Sequence, residues 1–89
     1  MKHRYLEVTF RNGKPVAAYF YLPRNPGDTS TRTERRDGGL LIDYSIDGRP
    51  IGIEITAPAH LSLDALNQVL TSLHFQPAAR QEVAPLAAA

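Results

Sequence analysis

Eighty-nine residues, 43% hydrophobic and 21% charged, make one small domain of ordinary globular composition. There is no cysteine, which excludes disulfides, thiolate zinc sites and cysteine nucleophiles. The net charge of +1 argues against a strong nucleic-acid footprint. A core of this size is often supplemented by association with a copy or a partner.

The charge is unevenly spread. Residues 1–36 hold eight Lys/Arg against three acids, net +5, and residues 37–89 hold two against six, net −4. The opening "MKHRYLEVTF" has a basic start without the apolar stretch of a secretory signal. No apolar run approaches the length of a membrane span. The expected setting is cytoplasmic, with no membrane partner.

"RYLEVTF" reads as a strand, with Leu6, Val8 and Phe10 at period two. Asn12-Gly13 is a hairpin signal, because both central residues of a type I′ turn need positive φ. "PVAAYFYL" returns as the second strand. A two-residue turn pairs Arg11 with Lys14 and Leu6 with Tyr19. Leu6, Val8, Phe10, Ala17, Tyr19 and Tyr21 then share a face. The other face holds Tyr5, Val16, Ala18 and Phe20, too apolar for open water, and forms a candidate association surface. Pro15 must sit where the ladder needs no N–H.

"PRNPGDTS" is a loop, "TRTERR" a short polar third strand, and "DGG" a turn. In "GLLIDYSIDGRPIGIEIT", a turn at Asp47-Gly48 sets Tyr44 opposite Ile51, Ile42 opposite Ile53 and Leu40 opposite Ile55. A shift of one residue would scramble both faces. The second face carries Leu41, Asp43, Ser45, Pro50, Gly52 and Glu54. The same construction across Asp37-Gly38 sets Arg32 opposite Asp43 and Glu34 opposite Leu41.

"LSLDALNQVLTSLHF" is an amphipathic helix with Leu63, Leu66, Leu70 and Leu73 in a stripe and Val69 beside it. Ser62 is its N-cap, Asp64 suits the positive end, and Leu61 can staple onto Leu66. After Pro77 one short helical turn is expected around Arg80 to Val83. The final residues are expected to be mobile or packed on a neighbour. The fold class is therefore α+β: an antiparallel meander of about five strands, with one C-terminal helix on the Leu40/Ile42/Ile53/Ile55 face. Residues 1–76 form the domain and 77–89 a partly ordered or mobile tail.

The stretch "DGGLLIDYSIDGRPIGIEIT" resembles the signature of a family of small bacterial proteins known as domain of unknown function 2283. The matching positions are Asp43, Tyr44, Asp47 and Gly48, then Gly52, Ile53, Glu54 and Ile55. Ala18, Phe20 and Leu22 echo an upstream strand of the family, and the likeness spans roughly residues 5 to 75. Where the family has an acidic turn before the second strand, this chain has "RNGKP". The resemblance implies the fold and a bacterial or phage source. It brings no activity, cofactor or catalytic residue. It also implies a partner-binding role of a toxin–antitoxin-like kind.

Four groups of residues compete for a functional role. Asp43 and Glu54 are diagonal neighbours on one strand face and could divide acid and base work or bind a hard cation. Cross-strand ion pairing with Arg32 is the simpler explanation. Gly52 weakens a strand interior, so another backbone, a tyrosine ring or a ligand is expected to approach it. Arg24, Arg32, Arg35 and Arg36 form a candidate basic patch for phosphate, against the plainer reading of an edge strand kept soluble by charge. His3, His60 and His74 lack metal-ligand spacing. No catalytic constellation, metal site or cofactor is expected. The reading is a non-enzymatic interaction module, a homodimer or small homo-oligomer or a binder of a protein partner. The alternatives are a small metal-dependent or acid/base enzyme using Asp43 and Glu54, and a weak nucleic-acid binder through Arg24 to Arg36.

Overall fold

The computed structural model describes residues 3–87. Five antiparallel strands form one sheet: β1 (Tyr5–Arg11), β2 (Lys14–Tyr21), β3 (Arg32–Arg36), β4 (Leu40–Tyr44) and β5 (Pro50–Ile55). A 3₁₀ turn at Pro58–His60 leads into α1 (Leu63–Ser72), and a second at Arg80–Val83 leads into α2 (Ala84–Ala87). The α+β class and the meander-like sheet are as expected. The order across the sheet is β1-β2-β5-β4-β3. The hairpin β1-β2 and the meander β3-β4-β5 therefore meet along β2 and β5, and the connection 22–31 carries the chain to the far edge.

The first hairpin opens as expected, with Arg11 opposite Lys14 and positive φ at Asn12 and Gly13. The register then slips. Phe10 faces Pro15, but Thr9 faces Ala17, which leaves Val16 as a bulged residue. Pro15 has no N–H for the ladder, so a break in pairing there costs least. Beyond the bulge Leu6 faces Phe20 and Val8 faces Ala18. This overturns the expected association surface of Tyr5, Val16, Ala18 and Phe20. Phe20 is 0% exposed and Ala18 is buried, both in the core, while Tyr5 lies on the opposite face beside Tyr21. Val16 is exposed at the bulge.

In β4 and β5, Leu40 faces Ile55, Ile42 faces Ile53 and Asp43 faces Gly52, as expected. Closer to the turn the pairing differs, because Tyr44 faces Pro50 rather than Ile51. The turn is longer than two residues: Gly48 N–H donates to Ser45 O at 3.0 Å and Ser45 N–H to Arg49 O at 2.9 Å. A type I turn closed by a left-handed glycine, φ +86° at Gly48, accounts for it. Arg49 ties this turn to the long connection through a forked pair with Asp28 at 2.9 and 3.0 Å. Both Gly38 and Gly39 have positive φ, so the β3–β4 loop holds three residues, not two. Thr33, not Arg32, therefore faces Asp43.

The core lies between the sheet and α1. Leu66, Val69 and Leu70 pack on Ala18, Phe20, Leu22, Leu40, Ile42, Ile53 and Ile55. Nine side chains are essentially fully buried, each contributing about 1.5–3 kcal/mol from apolar transfer. Ser62 caps α1 by accepting from Ala65 N–H at 3.2 Å. The described part of the tail folds back onto the domain. Ala78 is buried, and its N–H donates to Asn67 Oδ1 at 2.7 Å. Arg4 grips Glu82 with two bonds of 2.9 Å and also donates to Gln76 O and Pro77 O. The 3₁₀ turn at Arg80–Val83 matches the expected short helical turn. The expectation for Ala88 and Ala89 lies outside the described residues. No helix of the described residues is long and apolar enough to cross a membrane.

α1 ends in a Schellman arrangement. Phe75 N–H donates to Leu70 O at 2.9 Å and His74 N–H to Thr71 O at 3.0 Å, with His74 at φ +67°. An L-residue in this region costs about 1–2 kcal/mol that glycine escapes, less what glycine adds to unfolded-chain entropy. His74→Gly should therefore stabilise the fold by about 0.5–1 kcal/mol. A thermal melt should rise by about 2–8 °C. An unchanged or lower midpoint would count against this account of the helix end.

Candidate functional site

The face of the sheet opposite α1 carries a connected polar cluster. Strand alternation brings Tyr19 and Tyr21 of β2, Gly52 and Glu54 of β5, Asp43 of β4 and Thr33 of β3 to this side. Asp43 is at its centre and only 5% exposed. The Tyr19 hydroxyl donates to Asp43 Oδ2 at 2.8 Å, and the Thr33 hydroxyl donates to Oδ1 at 2.6 Å. Both oxygens of this buried carboxylate are thus held by neutral donors, which offsets part of its desolvation. Arg24 donates to Ile51 O at 2.6 Å and reaches the Tyr19 hydroxyl at 3.4 Å.

Gly52 explains itself here. The Tyr19 ring lies directly over it, so that an added Cβ would stand 2.0 Å from the hydroxyl oxygen and 2.3 Å from Cζ. Only a residue without a side chain lets the ring down onto the strand to reach Asp43. Of the three approaches the sequence allowed, another backbone, a tyrosine ring and a ligand, the ring fills the place.

Glu54 lies diagonally across from Asp43, since Glu54 faces Leu41 and Asp43 faces Gly52. Burial first, and then hydrogen bonding to and the charge of Asp43, push the Glu54 carboxyl above the usual glutamate range. Burial also raises the Tyr19 phenol, as do its hydrogen bond to Asp43 and that residue's charge, against a smaller opposing effect of Arg24. Tyr19 therefore stays a protonated donor and is no base. Beside Glu54 is a depression of about 250 Å³, bordered by Glu7, Thr9, Ala17, Tyr19 and Thr56. The cluster thus sets a carboxyl of raised pKa, Glu54, at the rim of that depression. Asp43 itself is closed over by Tyr19 and Thr33. Among the described residues no group of three or more His, Cys, Asp or Glu is placed to hold a metal ion.

Of the expected polar face, the structure brings together Asp43, Glu54 and Gly52 and removes Arg32. The extra loop residue turns Arg32 to the helix side, where its guanidinium stacks 4.0 Å from the Tyr44 ring. The expected basic patch is divided between the two faces. Arg36 bonds Glu34 at 2.9 Å and Ser72 of α1 at 3.1 Å, on the helix side with Arg32. Arg35 is opposite Leu41 on the other face, and Arg24 stacks 5.0 Å from Tyr21 there. His3, His60 and His74 are exposed at three separate places. Tyr19, Thr33 and Arg24 are the members of the cluster that sequence reasoning missed; only the strand-interior Gly52 pointed to a ring.

Comparison with protein families, with curated proteins and with solved structures finds no match for this chain.

Gly52→Ala should displace Tyr19 and cost about 1–3 kcal/mol. In a Tyr19→Ala background, where the space is open, the same substitution should cost much less, and a double-mutant cycle in urea measures the difference. Equal costs in both backgrounds would refute the contact. Glu54 supplies a pH test. An acid raised in the folded state is destabilising once ionised, fully so above its folded pKa and not at all below its unfolded one. Glu54→Gln should therefore exceed wild type in urea midpoint at about pH 7, and the gap should close as pH falls to about 4. Asp28, Glu34 and Asp47 have lowered pKa values and act in the opposite sense, but equally in both proteins.

Proposed function

We propose that this chain is a non-enzymatic interaction module that associates with a second copy of itself on the β1 side of its sheet. The observation that carries this reading is an aromatic stack running from mid-sheet to the edge. Tyr5 lies on Tyr21 with ring centroids 4.6 Å apart and planes at 14°, and Tyr19 meets Tyr21 edge-on at 4.6 Å. Tyr5, in the edge strand, is 41% exposed. Tyrosines with a few arginines are the side chains enriched at protein interfaces, since they offer large, rigid contact area. Phe10, toward the turn end of the same edge strand and on its other face, and Val16, at the neighbouring bulge of β2, add exposed apolar surface.

The Asp43–Glu54 pair is read as part of the scaffold, because both Asp43 oxygens are engaged. The division of Arg24, Arg32, Arg35 and Arg36 between two faces favours protein over nucleic acid as the partner. The likeness of residues 37–56 to the domain of unknown function 2283 family belongs to the same proposal, with its implied bacterial source and partner-binding role. So does a cytoplasmic setting, which a cysteine-free chain suits.

Light scattering on purified protein should give twice the chain mass at high concentration. Tyr5→Lys should shift the equilibrium to monomer while leaving the circular dichroism spectrum unchanged. A strict monomer for wild type at the highest soluble concentration would overturn the reading.

A further inference from the structure

We infer that two copies pair edge to edge through β1, antiparallel, with the two-fold axis at Val8, to form one continuous ten-stranded sheet; this rests on the self-association proposed above. The two edges of the sheet differ. The outer strand β3, Arg32–Arg36, is short and carries four charged residues of five, the usual protection against pairing. The outer strand β1, Tyr5–Arg11, has seven residues and no proline, lysine or glycine. Its neighbouring bulge belongs to β2, so β1 itself stays regular. An edge of this kind presents its outward N–H and C=O groups to any strand of matching pattern.

β1 matches itself in one register best. With the axis at Val8, all seven residues find partners: Tyr5 opposite Arg11, Leu6 opposite Phe10, Glu7 opposite Thr9. Directly opposed residues share a face, so Leu6, Val8 and Phe10 of both copies form one apolar row on the helix side. Phe10 is 47% exposed in the single chain, and Leu6 and Val8 are only partly buried. This row supplies what each lacks. On the other side, Arg11 meets the Tyr5 ring of the second copy and lies diagonal to its Glu7, and the pair repeats on the opposite half of the axis. Moving the axis to Glu7 would set two carboxylates against each other and leave Phe10 overhanging. Moving it from Val8 by half a step would set Val8 opposite Glu7 and Leu6 opposite Thr9, mixing the two faces.

The chain has no cysteine, so a single introduced thiol can be labelled cleanly. Thr9→Cys carrying a nitroxide is the probe, with Asp37→Cys at the far edge as control; both positions are exposed. In the proposed register the two Thr9 Cα atoms lie about 8 Å apart. The frozen-solution spectrum of the Thr9 label should broaden, and that of the Asp37 label should not. Diluting labelled with unlabelled protein should remove the broadening. A dimer by light scattering with no broadening at Thr9 would overturn edge pairing and leave self-association standing. A monomer would overturn both. Independently, Phe10→Lys places an edge guard on an exposed site and should weaken dimerisation roughly tenfold or more without loss of fold. A folded Phe10→Lys dimer of unchanged affinity would also overturn the pairing.

Discussion

Pro15 has no N–H to offer the first hairpin, and the one-residue slip that follows decides which half of β2 is core. With Val16 set aside, Ala18, Phe20 and Leu22 turn toward α1 and Tyr19 and Tyr21 turn away. The unslipped alternative would bury two phenols and expose Phe20 and Leu22. Burying those two apolar side chains contributes about 1.5–3 kcal/mol each. A buried hydroxyl without a partner costs about 1–3 kcal/mol. Both effects favour the slipped strand, and together they outweigh the lost pairing at a single bulge.

The polar cluster depends on that slip. Tyr19 reaches Asp43 only because it faces away from the helix and because Gly52 lets its ring lie flat on β5. The contact joins residues far apart in sequence: β2 to β5 and, through Asp43 and Thr33, to β4 and β3. The alignment of β2 on β5, Phe20 opposite Ile53 and Tyr21 opposite Gly52, is the one long-range pairing in the sheet. A neighbouring register would leave Asp43 buried without its donor, and such half-satisfied networks are costly. The cluster therefore acts as a lock between two locally formed units. Arg49 and Asp28 perform a similar task at the end of the sheet, holding the connection 22–31 against the β4–β5 turn.

What was legible in the sequence was local. Asn12-Gly13 names its turn, Ser62 its cap, and Leu40, Ile42, Ile53 and Ile55 can share a face in only one register. Phe20 was placed outside because both faces of β2 are apolar: Ala17/Tyr19/Tyr21 and Ala18/Phe20/Leu22 look alike to a period-two reading. The bulge at Val16 leaves no pattern of its own beyond Pro15. Two consecutive glycines after Asp37 permit a loop of either two or three residues, and the choice between them moved Arg32 off the Asp43 face. Thr33 and Tyr19 were missed for the same reason, since each follows from a register rather than a motif, and Arg24 reaches the cluster from the connection 22–31. Asp43, Glu54 and Gly52 survived because they sit on the one hairpin whose central pairing the aliphatics determine.

The incompleteness of the core is concentrated at one end. β4 and β5 supply Leu40, Ile42, Ile53 and Ile55, all fully buried or nearly so, beneath Leu66, Val69 and Leu70. Along β1 the same row fades: Leu6 and Val8 are partly buried and Phe10 is exposed. A ten-residue helix cannot cover five strands, and the tail helps only in part, through Val83, Leu86 and the Arg4 guanidinium 5.6 Å over Phe20. A small domain buries a smaller fraction of its surface than a large one, so each uncovered apolar side chain weighs more. The charges of β3 disfavour pairing at that edge, while the unfinished apolar row lies at β1. The geometry that leaves the fold short of core and the geometry that leaves a pairing edge open are thus one feature. It arises from a helix too short to reach the first strand.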